Sequence, residues 1–175
     1  MPVIQRPVPT GREILWGEEE IIVSKTDLKG VILYANQTFL RIARYTEHEV
    51  LGQPHNIIRH PDMPKCVFKL LWDTLEAGDE IFAYVKNLAK DGDHYWVFAH
   101  VTPTYGANGR VVGYHSNRRC PERKKVELFE SIYAKLLVEE KRHADWREGM
   151  ASAGRLLHSM VADHHMDYPE FIFSV

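Results

Sequence analysis

The sequence predicts an α+β domain in which short helices cover one face of a five-stranded antiparallel sheet, followed by a helical C-terminal extension. The first observation is that short β-branched and aromatic runs between residues 20 and 120 are separated by turn sequences. The second is that apolar residues recur at helical spacing after the second of these runs and again beyond residue 120. We therefore expect an N-terminal arm over residues 1–19, a sheet domain over 20–120 and a helical extension over 121–175.

The composition is that of a globular protein without the charge pattern of a nucleic-acid binder. The 175 residues are 45% hydrophobic and 26% charged, with a formal net charge of -2 at pH 7, which argues against a basic nucleic-acid-binding face. No apolar run approaches the roughly 18 residues that span a bilayer, and the N-terminus lacks a secretory signal pattern. Cys66 and Cys120 have no metal-binding spacing. We expect a cytoplasmic protein with free thiols and no membrane span.

The first half of the sheet domain contains a hairpin and three helices. Two β-branched runs flank the Asp27–Gly30 turn, which predicts the hairpin. Asn36 precedes an apolar-periodic run and suits a helix N-cap, and Thr46 with Glu49 forms a capping-box pattern for a second helix. A longer helix follows Pro64. Its apolar face consists of Val67, Phe68, Leu71, Trp72 and Leu75.

The segment 53–64, QPHNIIRHPDMP, contains three prolines. Each proline removes a backbone donor and clashes with the preceding helical turn, so we expect a loop rather than one long helix. After Gly78 the apolar period changes to two, and the turns at Asp91–Gly92 and Gly106–Gly109 divide residues 80–119 into three antiparallel strands. Helices on one face of such a sheet leave a hollow that can hold a small molecule.

The C-terminal extension has two apolar helical stripes. One runs through the segment 126–137. The other consists of Trp146, Met150, Ala153, Leu157 and Met160. The second stripe has coiled-coil spacing over only about two heptads, and we expect helices 121–160 to mediate self-association or to dock a signalling protein. The tail around Phe171–Phe173 is expected to pack back on the core, with a docking peptide as the alternative.

Three stretches of the sheet domain indicate a family. They are TDLKGVILYANQTF (26–39), GQPHNIIRHPDMPK (52–65), and VKN (85–87) followed by KDGDHYWV (90–97). Their order and spacing resemble the PAS domain of bacterial aerotaxis receptors over residues 20–120. The resemblance implies a PAS fold, bound FAD and cytoplasmic placement. It also implies a role in redox or oxygen sensing for aerotaxis and chemotaxis, without catalysis.

The resemblance also implies a set of cofactor-binding residues, namely Arg59, His60, Asp62, Trp72 and Asn87. A flavin needs an apolar slot for its rings and polar groups for its pyrimidine edge. Arg59 can offer positive charge to the pyrophosphate or the reduced ring, with His60 and Asp62 orienting it or meeting the cofactor. Trp72 can form a wall for the rings. The Asn87 amide can both donate and accept, so that a side-chain flip would report the redox state.

The residues by themselves leave other interpretations open. Trp72 can be a plain core residue, and the Arg59–Asp62 pair can simply stabilise its loop. FMN or haem can replace FAD, with His55 and His60 as candidate haem ligands. A cofactor-free PAS dimerisation scaffold is the alternative function. We expect no enzyme and no metal site, because no catalytic triad, phosphate-binding glycine motif or metal-ligand spacing is present.

Overall fold

The structure is a computed structural model that describes residues 6–175. Within that range, no helix is long and apolar enough to cross a membrane. A one-turn 3-10 helix at His55–Ile58 lies between the second and third α-helices. The other elements are β1 (Ile22–Thr26), β2 (Ile32–Ala35), α1 (Gln37–Ala43), α2 (Glu47–Val50), α3 (Lys65–Glu76), β3 (Ile81–Leu88), β4 (His94–Tyr105), β5 (Val111–Arg119), α4 (Arg123–Lys141), α5 (Trp146–Ala162) and α6 (Tyr168–Ser174).

The five strands form one antiparallel sheet in the order β2-β1-β5-β4-β3. β1 pairs with β2 across the Asp27–Gly30 turn and with β5, where Ser24 lies opposite Ser116. β3 pairs with β4, and Asn87 lies opposite Tyr95. The predicted α+β fold with its five-stranded antiparallel sheet is confirmed. Because the first and last strands are neighbours, both halves of the sheet line one continuous inner face.

Side-chain caps determine where the short helices begin. The Asn36 carboxamide oxygen accepts from the N–H of Phe39 at 2.9 Å and from the N–H of Val23 at 3.0 Å, so one side chain both caps α1 and ties it to β1. Thr46 and Glu49 form the capping box of α2. Both caps agree with the sequence pattern. They hold two helices over the inner face of β1 and β2.

The C-terminal extension covers the outer face of β3 and β4. The Tyr84 ring stacks on Phe129 of α4 with centroids 4.3 Å apart, and the Tyr133 hydroxyl donates to the Tyr84 carbonyl oxygen at 2.5 Å. In α6, Phe171 and Ile172 are buried. The tail therefore packs back on the core, as expected, and the sheet has helices on both sides.

The second apolar stripe is used inside the chain. Helix α5 packs against α3 and α4, burying Ala153 and Leu157 and leaving Trp146 51% exposed. The crossing of α4 and α5 is close at Gly149, where an added Cβ would lie 2.3 Å from the carbonyl oxygen of Glu140. Glycine is needed there because any side chain would push the two helices apart.

The N-terminal arm lies along the start of β4, beyond the point where β5 ceases to pair with it. The Ile14 N–H donates to the His94 carbonyl oxygen at 2.7 Å, and the Trp16 indole N–H donates to the Trp96 carbonyl oxygen at 3.1 Å. The Asp93 carboxylate accepts from Thr10, Arg44 and Arg12, and these bonds lower the pKa of Asp93 to about 2. Residues 1–5 of the predicted arm lie outside the described residues.

Candidate functional site

A cavity of about 350 Å³ lies between the inner face of the sheet and α3, within the usual size range of small-molecule sites. The helix side is apolar and contributes Phe68, Leu71, Trp72 and Leu75. The sheet side contributes Val85, Val97, Ala99 and Val101. Polar groups from β1, β3, β5 and the 3-10 helix interrupt this apolar lining: Ser24, His55, Asn87, Ser116 and Arg118. The space is therefore open and not filled by the protein's own core side chains.

Arg59 lies on the cavity lining, at the end of the 3-10 helix. Its guanidinium carbon is 3.9 Å from the centroid of the Phe68 ring, a cation–π contact that orients the side chain. The backbone of Arg59 forms an isolated β-bridge with Asn87 of β3. Partial burial lowers the pKa of the guanidinium. The proline-bounded segment is thus fastened to the sheet with this cation at the cavity.

Trp72 forms part of the helix-side wall. Its ring meets Tyr114 of β5 edge to face, with centroids 5.4 Å apart. A Cβ added at Gly30 would lie 3.3 Å from the Trp72 ring, and Gly30 adopts φ +76°, so glycine suits the β1–β2 turn both for its backbone and for the space beside the indole. Trp72 thus packs against the core and also lines the cavity, so its position is compatible with either interpretation considered from the sequence.

Asn87 projects from β3 to the cavity lining and is only 4% exposed. Among residues 6–175, its carboxamide takes part in none of the side-chain hydrogen bonds, although its backbone pairs with Tyr95 and bridges to Arg59. A carboxamide has two donor hydrogens and an acceptor oxygen. A buried amide with free hydrogen-bonding capacity, aimed into a cavity, is suited to a ligand.

His60 and Asp62 lie away from this cavity, although sequence analysis grouped them with Arg59. The His60 ring is buried against His94, with centroids 5.8 Å apart, and burial lowers its pKa to about 4. Asp62 accepts from the Lys86 ammonium group at 3.2 Å. Successive residues of an extended segment point to opposite sides, so placing Arg59 at the cavity turns His60 from it. Both residues therefore stabilise the loop that positions Arg59.

The most unusual group in the cavity, the Arg118 guanidinium, was not among the residues predicted from the sequence. This side chain is 3% exposed. Its Nε donates to Ser116 Oγ at 3.1 Å, and its Nη2 donates to Ser24 Oγ and lies 2.7 Å from His55 Nε2. Nη1 is buried and has no partner within residues 6–175. The signal was the alternation of Tyr114, Ser116 and Arg118 along β5, which places all three on one face.

His55 is a neutral hydrogen-bond acceptor in this cluster. Burial and the neighbouring Arg118 lower its pKa to about 3. Because arginine can only donate, Nε2 of His55 must accept and the ring proton must be on Nδ1. An Nε2 already engaged by a guanidinium is poorly placed to ligate iron, and His60 lies off the cavity lining. The candidate haem ligands are therefore not presented to a haem.

The lining fits a planar heteroaromatic molecule with a polar edge. Apolar surfaces come from Trp72 and from the sheet valines, while Asn87 offers hydrogen bonds and Arg118 contributes positive charge at the polar end. Cys66 lies outside this lining, and burial raises the pKa of its thiol to about 12, so it remains a protonated core thiol.

Comparison with known proteins agrees with this architecture. A family profile described as PAS fold matches residues 32–118. The aerotaxis receptor of Escherichia coli (strain K12) is 39% identical over 130 residues, which cover 74% of this chain and 26% of the receptor. A blue-light-activated histidine kinase of Rhizobium johnstonii is 24% identical over 62% of this chain and 32% of the kinase. The PAS domain of a Colwellia psychrerythraea protein aligns with a TM-score of 0.54 at 25% identity, covering 58% of this chain and 86% of that domain.

The sheet order, the helices on its inner face and the profile match define a PAS domain, a sensory fold. The identity with the aerotaxis receptor narrows the class, and the chain contains a PAS domain of the aerotaxis-receptor type. It spans about a quarter of the length of that receptor.

Proposed function

We propose that this chain is a cytoplasmic sensory module that binds FAD in the cavity, responds to the redox or oxygen state of the cell, and passes a conformational change to a signalling partner. The observation that supports this most is the open cavity in which Arg59, Trp72 and Asn87, three of the residues implied by the aerotaxis resemblance, lie on one lining. A bound flavin would supply reversible electron uptake. In this proposal the chain acts as a sensor and not as an enzyme.

Each of the three residues has a defined task in the proposal. Trp72 packs on the ring system and keeps water from it. Asn87 offers its free carboxamide to the polar edge of the rings and can exchange donor for acceptor by a flip of the side chain. Arg59, held by Phe68 at the half-buried end of the lining, is suited to the negative charge of the pyrophosphate. His60 and Asp62 lie off this lining and stabilise the loop that carries Arg59, and their own contact with the cofactor stays a prediction.

Strand β3 connects the cavity to the extension. Asn87 faces the cavity, while its neighbour Lys86 faces outward and lies 3.6 Å from Glu130 of α4. A change in the bonding of Asn87 would shift β3 against α4. The exposed surfaces of α4 and α5 would then present a different surface to a signalling protein or to a second copy of the chain.

The deciding experiment is an absorption spectrum of the purified protein, followed by extraction and mass measurement of any cofactor. Oxidised-flavin bands with released FAD are expected. Released FMN would correct the cofactor, and a Soret band would replace flavin by haem. A colourless protein that does not take up added FAD would favour the cofactor-free scaffold. Sustained turnover of NAD(P)H by a yellow sample would show that the chain is an enzyme.

A further inference from the structure

We propose that the inner end of the cavity is an anion subsite centred on Arg118, built to hold a negatively charged group of the ligand. The inference rests on the proposed flavin function, in which that group is the N1–O2 edge of the reduced ring. On this account Arg118 causes the protein to hold reduced flavin as its anion, and Arg118 joins Arg59, Trp72 and Asn87 as a ligand-binding residue.

The first support is the unsatisfied hydrogen-bonding capacity of the buried guanidinium. Arginine has five N–H donors in a fixed planar arrangement. Ser116, Ser24 and His55 occupy the Nε and Nη2 sides, whereas Nη1 is buried without a partner among residues 6–175. A buried donor without an acceptor destabilises the protein. Because Nη1 is buried and not open to the cavity, a ligand would be drawn by the positive charge of the guanidinium.

The second support is the absence of a counter-ion. All three groups bonded to Arg118 are neutral, because serine hydroxyls carry no charge and His55 accepts through a deprotonated Nε2. None of the ion pairs within residues 6–175 involves Arg118, and residues 1–5 contain no Asp or Glu. Burial lowers the pKa of Arg118 to about 10, so the side chain remains a cation at neutral pH. A buried cation without an anion is destabilising by itself, which favours a ligand that supplies the anion.

The third support is the charge of the whole cavity. Its lining includes Lys29, Arg59 and Arg118, and no Asp or Glu. The other titratable groups facing it are His55, which is neutral, and Tyr114, whose pKa is raised by burial. Tyr95, the nearby group that interacts electrostatically with Arg118, also has a raised pKa because it is buried. Nothing on the lining would repel a negatively charged ligand.

The chemical consequence concerns protons. A reductant such as dithionite donates two electrons to the oxidised ring and is itself oxidised, and one proton from water forms an N–H bond at N5. Toward acid pH, the second negative charge would ordinarily be neutralised by a proton at N1. Beside Arg118 it is balanced by the guanidinium, so that the couple takes up one proton for every two electrons.

The test is the pH dependence of the reduction potential of the bound flavin, measured from neutral toward acid pH, where unbound reduced flavin gains its N1 proton. A two-electron couple that binds one proton shifts by about 30 mV for each tenfold change in proton concentration, and one that binds two protons shifts by about 59 mV. We expect the smaller slope in the wild-type protein and in Arg118→Lys, which retains the charge. We expect a slope approaching the larger value toward acid pH in Arg118→Gln. The larger slope in the wild-type protein, or equal slopes in wild type and Arg118→Gln, would overturn the proposal.

The stability of the flavin-free proteins distinguishes a structural role of Arg118 from a role in ligand binding. If Arg118 serves mainly the ligand, flavin-free Arg118→Gln should unfold at or above the wild-type temperature, because an uncompensated buried charge has been removed. A lower unfolding temperature in both variants, with the wild-type slope kept in Arg118→Lys and Arg118→Gln alike, would assign Arg118 to structure alone.

The anion subsite at Arg118 can also be tested if the protein binds no flavin. If the protein takes up no flavin, the flavin-free proteins are melted with sodium nitrate and with sodium sulfate at equal ionic strength. Nitrate, a small planar monoanion, should raise the unfolding temperature of the wild-type protein more than that of Arg118→Gln. Equal shifts in the two proteins would overturn the anion subsite.

Discussion

Replacing Gly149 by alanine should loosen the crossing of α4 and α5, whereas the matched change Gly154→Ala in the same helix should not. A Cβ at Gly149 would lie 2.3 Å from the carbonyl oxygen of Glu140 and 3.1 Å from its carbonyl carbon. Both are backbone atoms, so the contact is relieved only by moving one helix away from the other. At Gly154 the nearest atom is the Cβ of Cys66 at 3.9 Å, an ordinary van der Waals contact.

Two opposing effects determine the change in free energy of unfolding. Alanine is favoured over glycine in a helix interior by about 1 kcal/mol. Overpacking a well-packed contact costs about 1–3 kcal/mol, and the upper end applies where backbone atoms are opposed. The free energy of unfolding should therefore fall by about 2 kcal/mol in Gly149→Ala and rise by up to about 1 kcal/mol in Gly154→Ala. In a chain of this size 1 kcal/mol moves Tm by about 2–4 °C, so the two variants should melt about 6–12 °C apart.

Urea and thermal unfolding followed by far-UV circular dichroism measure this difference, with wild type and both variants in the same buffer. The urea m-values should agree, since the three proteins expose the same surface on unfolding. A Gly149→Ala protein as stable as Gly154→Ala would refute the reasoning, because it would show that α4 and α5 separate at almost no cost.

The remaining predictions concern the cavity and the arm. Arg59→Ala and Trp72→Ala should each lower the flavin occupancy of the purified protein several-fold with unchanged circular dichroism, and full occupancy in both would move the site elsewhere. Asn87→Ala should keep its flavin but change its reduction potential in a spectroelectrochemical titration, and an unchanged potential would remove Asn87 from the switch. The pKa of His55 is 6.5 in the unfolded state and is lowered to about 3 in the folded state by burial and by Arg118. The unfolded state therefore binds a proton first, and His55 lowers the stability of the protein as pH falls from 6.5 toward 3. His55→Gln should therefore lose less stability than wild type in urea unfolding at stepped pH, and equal losses would assign the acid sensitivity to other groups. An added Cβ at Gly92 would lie 2.1 Å from the Val8 carbonyl oxygen, so Gly92→Ala should speed limited proteolysis of the N-terminal arm, and an unchanged rate would mean that the arm is held by other contacts.

The fold was predictable because the caps and turns that begin and end its elements depend on residues close together in the sequence. The Asn36 cap, the Thr46–Glu49 capping box and the turn at Asp91–Gly92 each depend on residues a few positions apart. The strand order needed only short hairpin connections and one return of the chain to β1. The position of α6 was harder to predict, because an apolar tail packs equally well on its own sheet or on a partner, and only the exposed aromatic face of β3 decides between them.

The site was predictable only in part, for a reason of geometry. Arg59, Trp72 and Asn87 were predicted by their place in a family pattern and lie on the cavity lining, whereas His60 and Asp62 lie off it. The pattern alone does not give these side-chain directions. Arg118 lies in β5, where side chains clearly alternate between the two faces of the sheet. A single sequence does not show which of these faces lines the cavity. That information comes from the pairing of Ser24 with Ser116, which joins residues that are far apart in the chain.

The contacts of β3 with α4 also limit how a signal could leave the cavity. The ion pair of Lys86 with Glu130 is partly exposed, since the Glu130 side chain is 51% accessible, and pairs of this kind contribute at most about 1 kcal/mol. The hydrogen bond from Tyr133 to the Tyr84 carbonyl contributes about as much. A switch that moves most of a population needs several kcal/mol of difference between its states, so neither bond can drive it alone. The aromatic stack of Tyr84 and Phe129, whose side chains are both buried, removes much more surface from water. A change at Asn87 would therefore act on α4 by repacking these rings and not by breaking one polar contact.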